Sequence, residues 1–314
     1  MSNEPYLQRL TGRLIDGVDR LSLEFRTRHA KWILSRQNPD GGFSGREGGS
    51  DLYYTGFALR SLAVLQALEL ETCQKVASFL RGKKSHSASV VDLFSYLVSS
   101  FLVQVGGGPD VLAESAEGWP DRVTEILETH RHDDGGYSKS PGGTSGSTYT
   151  TFLVALALEL LGKTIPQPER AIAFLQSRYR AGGFVEIAQM KRAGTNPTAA
   201  GVGTMQILGA LTTTMRGEIG LFLSGLFLKE EGGLRANDRI QSADLLSTFT
   251  GGWTLADIGE LDRLDLHAIR TYAESLQGPQ GGFRGGSWDI GLDVEYTFYG
   301  IGLLGLLVSG NPKH

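Results

Sequence analysis

The residues with the clearest chemical potential stand at the start of the last apolar segment, residues 294–304. Asp293 and Glu295 place two carboxyl groups two positions apart, and Tyr296 and Tyr299 follow within the next turn. A glycine-rich stretch precedes them, so the pattern is that of a turn, an acidic cap and an apolar helix. Asp293 is explained as the cap of this helix, and Glu295 as a first-turn acid that the helix dipole favours. The alternative is that these carboxyl groups take part in catalysis.

The same order of turn, cap and apolar helix recurs along the chain. Successive caps are separated by 41 to 55 residues, and glycine turns precede five of the six. The second repeat has the basic segment Arg81-Gly82-Lys83-Lys84 where the others have a glycine turn. A recurrence of this length is typical of repeat architectures. The six predicted caps are Asp51, Asp92, Ser147, Asn196, Asp244 and Asp293.

The hydrophobic pattern within each repeat predicts two kinds of helix. Segments after the caps, such as residues 153–161 and 300–308, are apolar almost all round, which indicates burial. Segments before the turns, such as residues 168–179 and 265–276, are amphipathic and are expected to form an outer layer. No convincing strand pattern is present. We therefore predict an all-α fold, an α6/α6 barrel (toroid) of six helix-pair repeats, as one domain over residues 1–314.

The composition excludes several classes of protein. The net charge of -4 argues against a nucleic-acid binder that relies on phosphate contacts. A single cysteine, Cys73, excludes an internal disulfide and any multi-cysteine zinc site. The apolar runs are shorter than the roughly 20 residues of a membrane span, so an integral membrane protein is not expected. No secretory signal opens the chain, which favours a cytoplasmic location.

Glycine–glycine–aromatic turns followed by a polar cap and an apolar helix resemble the repeat of the prenyltransferase and squalene-cyclase superfamily. The resemblance extends from about residue 28 to residue 308 and is greatest to β subunits of protein geranylgeranyltransferases. Its best matching pieces are Gly41-Gly42-Phe43-Ser44 with Leu52-Tyr53-Tyr54-Thr55, and residues 294–304. The resemblance implies a toroid with a central, aromatic-lined cavity that holds an isoprenoid chain.

The same resemblance implies a zinc site that this sequence does not complete. The family uses an aspartate, a cysteine two residues later, and a histidine at the start of the last buried helix. Asp244 occupies the first place, but Leu246 and Tyr296 occupy the other two. A catalytic zinc site usually needs three protein ligands. Zinc is therefore not expected. Magnesium would be bound only together with a diphosphate substrate.

The positions that hold the prenyl diphosphate in the family are also altered. Residues 195–198 replace a family histidine, and an arginine of the third buried helix is replaced around Thr148 and Tyr149. Arg235 and Arg239 resemble the family's basic pair, although their spacing differs. Two guanidinium groups can hold a diphosphate through charge-assisted hydrogen bonds. The alternative is that both arginines are solvated in a loop.

Class II terpene cyclases offer a second comparison within the superfamily. Residues 293–297 resemble their Asp-x-Asp-Asp-Thr motif in frame, with Glu295 at the position of the acid that protonates an alkene. This chemistry needs a carboxyl group that burial keeps protonated, and aromatic rings that stabilise carbocations. The candidate aromatic residues are Tyr53, Tyr54, Phe249, Trp253, Tyr296 and Tyr299.

Three functions follow from this comparison. The first is an isoprenoid-handling enzyme that works without the usual zinc, such as a terpene cyclase, with Glu295, Asp293 and Asp244 as catalytic candidates. The second is a non-catalytic toroid that binds a lipid chain or a partner protein. The third is a zinc-dependent protein prenyltransferase β subunit, which would need a helical partner subunit.

Overall fold

The computed structural model describes residues 4–83, 89–115 and 117–309. In these ranges the chain forms thirteen α-helices and three pairs of short strands. Within the same ranges, every helix falls short of the length and apolarity that a bilayer-spanning segment needs. The basic segment of the second repeat ends the fourth helix at Lys83, and Lys84 lies outside the described residues. The helices are α1 Tyr6–Val18, α2 Leu23–Leu34, α3 Leu52–Val64, α4 Leu70–Lys83, α5 Val90–Val105, α6 Trp119–Glu128, α7 Thr148–Leu160, α8 Pro168–Arg178, α9 Thr195–Ile207, α10 Thr213–Ser224, α11 Leu245–Ile258, α12 Leu266–Ser275 and α13 Val294–Ser309.

Contacts between residues divide the chain into two compact units. The first unit comprises residues 4–9 and 120–275, and its buried helix α9 packs against both α7 and α11. The second unit comprises the described parts of residues 10–119 and 276–309, and its buried helix α3 packs against both α5 and α13. In each unit the buried helices alternate along the chain with helices that expose one face, as the hydrophobic pattern predicts. The extent of the domain, residues 1–314, stays a prediction.

Four of the six predicted caps are confirmed by hydrogen bonds at helix starts. The side chains of Asp51, Ser147 and Asp244 accept hydrogen bonds from backbone N–H groups of α3, α7 and α11, respectively. Asp293 does the same for α13, through the N–H of Tyr296 at 2.9 Å. These oxygens satisfy donors that have no partner within the helix.

The other two predicted caps are wrong. The cap of helix α5 is Ser89, three residues before Asp92, and its hydroxyl accepts from the Asp92 N–H. Helix α9 follows Gly194, so Asn196 lies inside its first turn. There the amide of Asn196 accepts a hydrogen bond from Thr250 of α11. In both cases the predicted cap is a polar residue of the first helical turn, which the sequence pattern does not distinguish from a true cap.

Each glycine turn is tied to the buried helix that follows it by a threonine hydroxyl. The residue after the turn is fully buried, and its backbone N–H donates to a threonine in the first turn of that helix. The threonine hydroxyl generally donates in turn to the carbonyl group of the helix cap, as Thr248 does to Asp244 at 2.7 Å. The five N–H and Oγ1 pairs are Phe43–Thr55, Tyr137–Thr151, Phe184–Thr198, Leu234–Thr248 and Phe283–Thr297, at 2.9 to 3.1 Å.

Short strands occur at three of these turns, where the sequence shows no convincing strand pattern. Antiparallel pairs of two-residue strands flank or follow the turn, and the last pair connects the last glycine turn to α13. Strands of two residues are too short to produce an alternating pattern, so the sequence carries no signal for them. The pairs are β1 Tyr179–Arg180 with β2 Gly183–Phe184, β3 Phe227–Leu228 with β4 Gly233–Leu234, and β5 Phe283–Arg284 with β6 Leu292–Asp293.

We expect Thr248→Val to lower the free energy of unfolding by about 1–3 kcal/mol, because it leaves the buried N–H of Leu234 without its acceptor. Valine matches threonine in shape, so the change isolates the hydroxyl group. Thr271→Val is the matched control, since Thr271 is exposed on α12 and its hydroxyl only donates to the carbonyl of His267. Urea unfolding measures both variants. Equal losses in the two variants would contradict a structural role for the Thr248 hydroxyl.

Candidate functional site

The candidate site lies in the second unit, where β6 runs into α13. Asp293 is held from two sides: its backbone pairs with Phe283 of β5, and its Oδ1 caps α13. Only 6 % of Asp293 is exposed. This arrangement fixes the direction in which the first turn of α13 presents Glu295.

Arg46 joins the loop of the first repeat to the loop of the last. Its guanidinium donates to both carboxylate oxygens of Asp289, with an Nη1–Oδ1 distance of 2.8 Å, and its Nε donates to Asp293 Oδ2 at 3.0 Å. Asp289 also accepts the backbone N–H groups of Gly285 and Gly291, each at 3.0 Å. One guanidinium therefore holds two carboxylates that are nearly buried.

The pKa values of the two acids beside Arg46 are shifted in opposite directions. Burial by itself would raise the pKa of Asp289, but hydrogen bonds from Arg46 and two backbone N–H groups hold that pKa below its usual value. Burial raises the pKa of Asp293, and the N–H of Tyr296 and the charge of Arg46 only partly oppose it. Asp289 is therefore the preferred ionic partner of Arg46.

Glu295 is a half-buried carboxyl group that accepts hydrogen bonds from two tyrosines. The hydroxyl of Tyr53 donates to its Oε1 at 2.8 Å, and the hydroxyl of Tyr299 donates to the same oxygen at 3.3 Å. Burial raises the pKa of Glu295, the Asp293 charge adds to this effect, and the phenol hydrogen bonds and Arg60 oppose it. The net direction favours the protonated acid, which is the form that donates a proton.

Aromatic rings surround this carboxyl group. Phe57 lies edge-on to Tyr53 and Tyr299, with ring centroids 4.9 and 5.4 Å away. Arg60 lies over Phe57 at 4.0 Å and over Phe298 at 4.8 Å. These two rings therefore already bind a cation through their faces.

Four of the six predicted aromatic residues meet at this place. Tyr53 and Tyr299 bind Glu295, and Tyr296 lies beside Tyr299 and under Arg46. The ring of Tyr54 lies edge-on to that of Tyr53 at 5.3 Å, and burial together with the nearby acids raises its pKa.

The remaining predicted residues belong to the first unit. Asp244 caps α11, and burial raises its pKa. Phe249 and Trp253 are buried on α11, and the indole N–H of Trp253 donates to the hydroxyl of Tyr6 at 2.8 Å. The guanidinium of Arg235 donates weakly to the carbonyl of Ile240 at 3.4 Å, and Arg239 is exposed in the same loop.

The donor set does not fit the zinc site of the family that the sequence resembles. Leu246 has no donor atom, and Tyr296 stacks with Arg46. Across residues 4–83, 89–115 and 117–309, no group of three or more His, Cys, Asp or Glu side chains is arranged to hold a metal ion.

Sequence reasoning missed Arg46 and Asp289. They are 243 residues apart, so no local spacing links them. The available signal was the position of Asp289 between glycines, as the one charged residue of residues 285–292 in the last repeat.

We expect Asp289→Asn to lower the free energy of unfolding by about 2 kcal/mol at pH 7, since it removes a charged acceptor of three donor groups. The folded-state pKa of Asp289 is lowered, so its stabilisation is present above the unfolded pKa near 3.8 and is lost as pH falls through the folded value. The difference between wild type and variant should therefore shrink below about pH 4. Unfolding curves at several pH values measure this.

Asp19→Asn is the matched control in the same unit. Asp19 also pairs with an arginine, Arg26 at 2.7 Å, but 60 % of its side chain is exposed. Exposed ion pairs contribute about 0–1 kcal/mol, so a smaller loss is expected. A pH-independent loss in Asp289→Asn would contradict the ionic role of Asp289.

The alternation of buried and one-sided helices, joined at glycine turns, defines an all-α helix-pair repeat protein. The sequence matches the family described as the prenyltransferase alpha-alpha toroid domain over residues 11–185, 107–215 and 199–311. The chain belongs to this family. The predicted fold class and the resemblance are thus confirmed. A comparison with curated protein sequences gave no match.

Solved structures with the same fold carry different activities. A protein geranylgeranyltransferase-I from Candida albicans, complexed with GGPP, is 12 % identical with a TM-score of 0.70, covering 88 % of this chain and 89 % of that one. A type II terpene cyclase from Scytonema is 12 % identical with a TM-score of 0.62, covering 96 % and 99 %. An alpha-1,6-mannanase from Salegentibacter sp. is 12 % identical with a TM-score of 0.65, covering 92 % and 99 %. At these identities the similarity shows the fold alone.

Proposed function

We propose that this protein binds an isoprenoid chain and protonates one of its alkenes with Glu295, as in a terpene cyclase. The observation that supports the proposal is the Glu295 carboxyl group itself. It has a raised pKa, accepts hydrogen bonds from Tyr53 and Tyr299, and lies among aromatic rings. The structural similarity to a type II terpene cyclase that was solved with geranylgeranyl dihydroxybenzoate is consistent with this class of substrate.

The proposed step balances without a metal or a redox partner. The O–H bond of Glu295 breaks, and the π electrons of the alkene form a new C–H bond, which leaves a tertiary carbocation. A second alkene of the same chain attacks the cation and closes a ring. Loss of a proton from carbon to a base then forms a new alkene, so the product is an isomer of the substrate.

The neighbours of Glu295 have defined parts in this step. The hydroxyl groups of Tyr53 and Tyr299 stabilise the carboxylate that remains after proton transfer. The face of Tyr299 stabilises the cation that forms, since Arg60 already lies over the ring of Phe57. Asp293 contributes its fixed position and its charge, which raises the pKa of Glu295.

A second candidate is a non-catalytic protein that binds a lipid chain. Leu246 and Tyr296, at two of the three places of the family's zinc ligands, favour this alternative over a zinc-dependent β subunit with a helical partner. The first-turn position of Glu295 on α13 is also explained by the helix dipole. A protein with this function would share the toroid fold of the family without its catalytic activity.

The test is incubation of the purified protein with geranylgeraniol and with farnesyl and geranylgeranyl diphosphates in deuterated water. A cyclic isomer that gains one deuterium supports alkene protonation. Release of free diphosphate would instead indicate transferase or ionisation chemistry, with magnesium as the companion of the substrate. Saturable binding of the chain without any product would leave the non-catalytic alternative and overturn the enzymatic proposal.

A further inference from the structure

A second site is indicated by a polar cavity in the first unit. Its volume is about 290 Å³, and it lies where the last turns of the three buried helices α7, α9 and α11 meet. These helices contribute Glu159, Gln206 and Asp257. All its lining residues belong to the first unit, whereas Glu295 belongs to the second.

Most charged groups of the cavity wall are already engaged. Arg9 donates through Nη2 to Asp257 Oδ2 and to Gln206 Oε1, each at 3.2 Å. Glu159 Oε2 accepts the backbone N–H of Tyr6 at 2.7 Å. Burial raises the pKa of Glu159, while that N–H and the charge of Arg9 oppose the rise. These contacts shape the cavity and preorganise its oxygen acceptors.

Arg216 is the partly buried exception in this wall, besides the exposed Glu4. It lies in the first turn of α10 and is partly buried, and its side chain makes no ion pair or hydrogen bond with any residue in the described ranges. A guanidinium is planar, always charged and weakly hydrated, which suits it to bind a carboxylate or a phosphate in a forked geometry. The cavity wall therefore combines one partly buried guanidinium that has no ion-pair partner in the described ranges with carboxylate acceptors.

We propose that this cavity binds a small hydroxylated organic anion, with its carboxylate or phosphate group on Arg216 and a hydroxyl group donating to Glu159. The volume lies at the lower end of the range for small-molecule sites, which suits a molecule of a few carbon atoms. The charged and amide side chains of the wall disfavour an isoprenoid chain, because hydrocarbon would remove water from these groups and offer them no hydrogen bond in return. The site is independent of the function proposed for Glu295.

Three related probes test the proposal by calorimetry in a phosphate-free buffer. Glycerate and glycerol 3-phosphate carry the two anionic groups on the same hydroxylated frame, and glycerol carries neither. We expect at least one of the two anions to bind saturably and to raise the unfolding temperature, whereas glycerol does not. The anion that binds with the higher affinity shows whether the ligand carries a carboxylate or a phosphate group.

Variants then locate the bound probe. Arg216→Gln should weaken binding about tenfold or more, and Glu159→Gln about twofold to tenfold. Arg180→Gln is the control, since Arg180 is an exposed arginine of the same unit outside the cavity. Unfolding temperatures of the unliganded variants show whether each one folds. The proposal is overturned if neither anion binds, if glycerol binds equally well, or if Arg216→Gln and Arg180→Gln bind like wild type.

Discussion

Glu295→Gln should lower the rate of isoprenoid cyclisation by about 100-fold or more, because a glutamine amide has no acidic proton to give to an alkene. The amide oxygen can still accept the hydroxyl groups of Tyr53 and Tyr299, so the variant should fold and bind the chain normally. Product formation per unit time and chain binding are measured separately. The rate should fall while the affinity for the chain stays within about twofold.

Asp92→Asn provides the matched control for this substitution. Asp92 is also a first-turn acid of a buried helix in the same unit, and it interacts with Ser89 at the start of α5. If Glu295 acts only through the dipole of α13, the two amide variants should behave alike. A cyclisation rate that survives Glu295→Gln would remove Glu295 from the mechanism.

The pH dependence of the same reaction should change when Tyr53 is replaced by phenylalanine. The protonated acid is the active form, so the rate falls as pH rises through the folded-state pKa of Glu295. The hydrogen bond from Tyr53 lowers that pKa against the effect of burial, so Tyr53→Phe should raise it further. The alkaline limb of the rate profile should therefore move to higher pH. A move to lower pH would contradict the role given to the phenol.

The repeat could be predicted from sequence because its signals are local. Each turn, cap and apolar run lies within a single segment, and the hydrogen bonds at Asp51 and Asp244 confirm the pattern. The recurrent threonine was visible as well, but its purpose was not. Only the structure shows that the hydroxyl of Thr297 binds the N–H of Phe283, fourteen residues earlier.

The contacts that build the candidate site could not be predicted in this way. Arg46 meets Asp289 and Asp293, and Tyr53 meets Glu295, through pairings of more than 240 residues in sequence. Such pairs depend on the packing of α3 against α13, which no spacing within one repeat encodes. The sequence indicated which acid to consider, and the structure supplied the groups that set its pKa. The cytoplasmic location stays a prediction.

The close approach of the last glycine turn to α13 predicts a further large effect on stability. A Cβ atom on Gly300 of α13 would overlap the ring of Phe283, which is fully buried. That ring cannot retreat easily, because its other neighbours include His29, stacked at 4.9 Å, and its backbone N–H is fixed by Thr297. A Cβ atom on Gly201 or Gly251 would also overlap the turn residue of its own repeat, whereas Ala58 and Val154 occupy the corresponding places in two other repeats.

We expect Gly300→Ala to lower the free energy of unfolding by about 2 kcal/mol, as overpacking outweighs the gain in helix propensity. Gly12→Ala is the control in the same unit, since Gly12 is exposed on α1 and its added Cβ meets no atom within 4 Å. That variant should gain about 0.5–1 kcal/mol from helix propensity alone. The two substitutions are chemically identical, so opposite signs in urea unfolding isolate the contact with Phe283. If the free energy of unfolding rises in both variants, the turn moves away from the added methyl group, and Gly300 has no packing role.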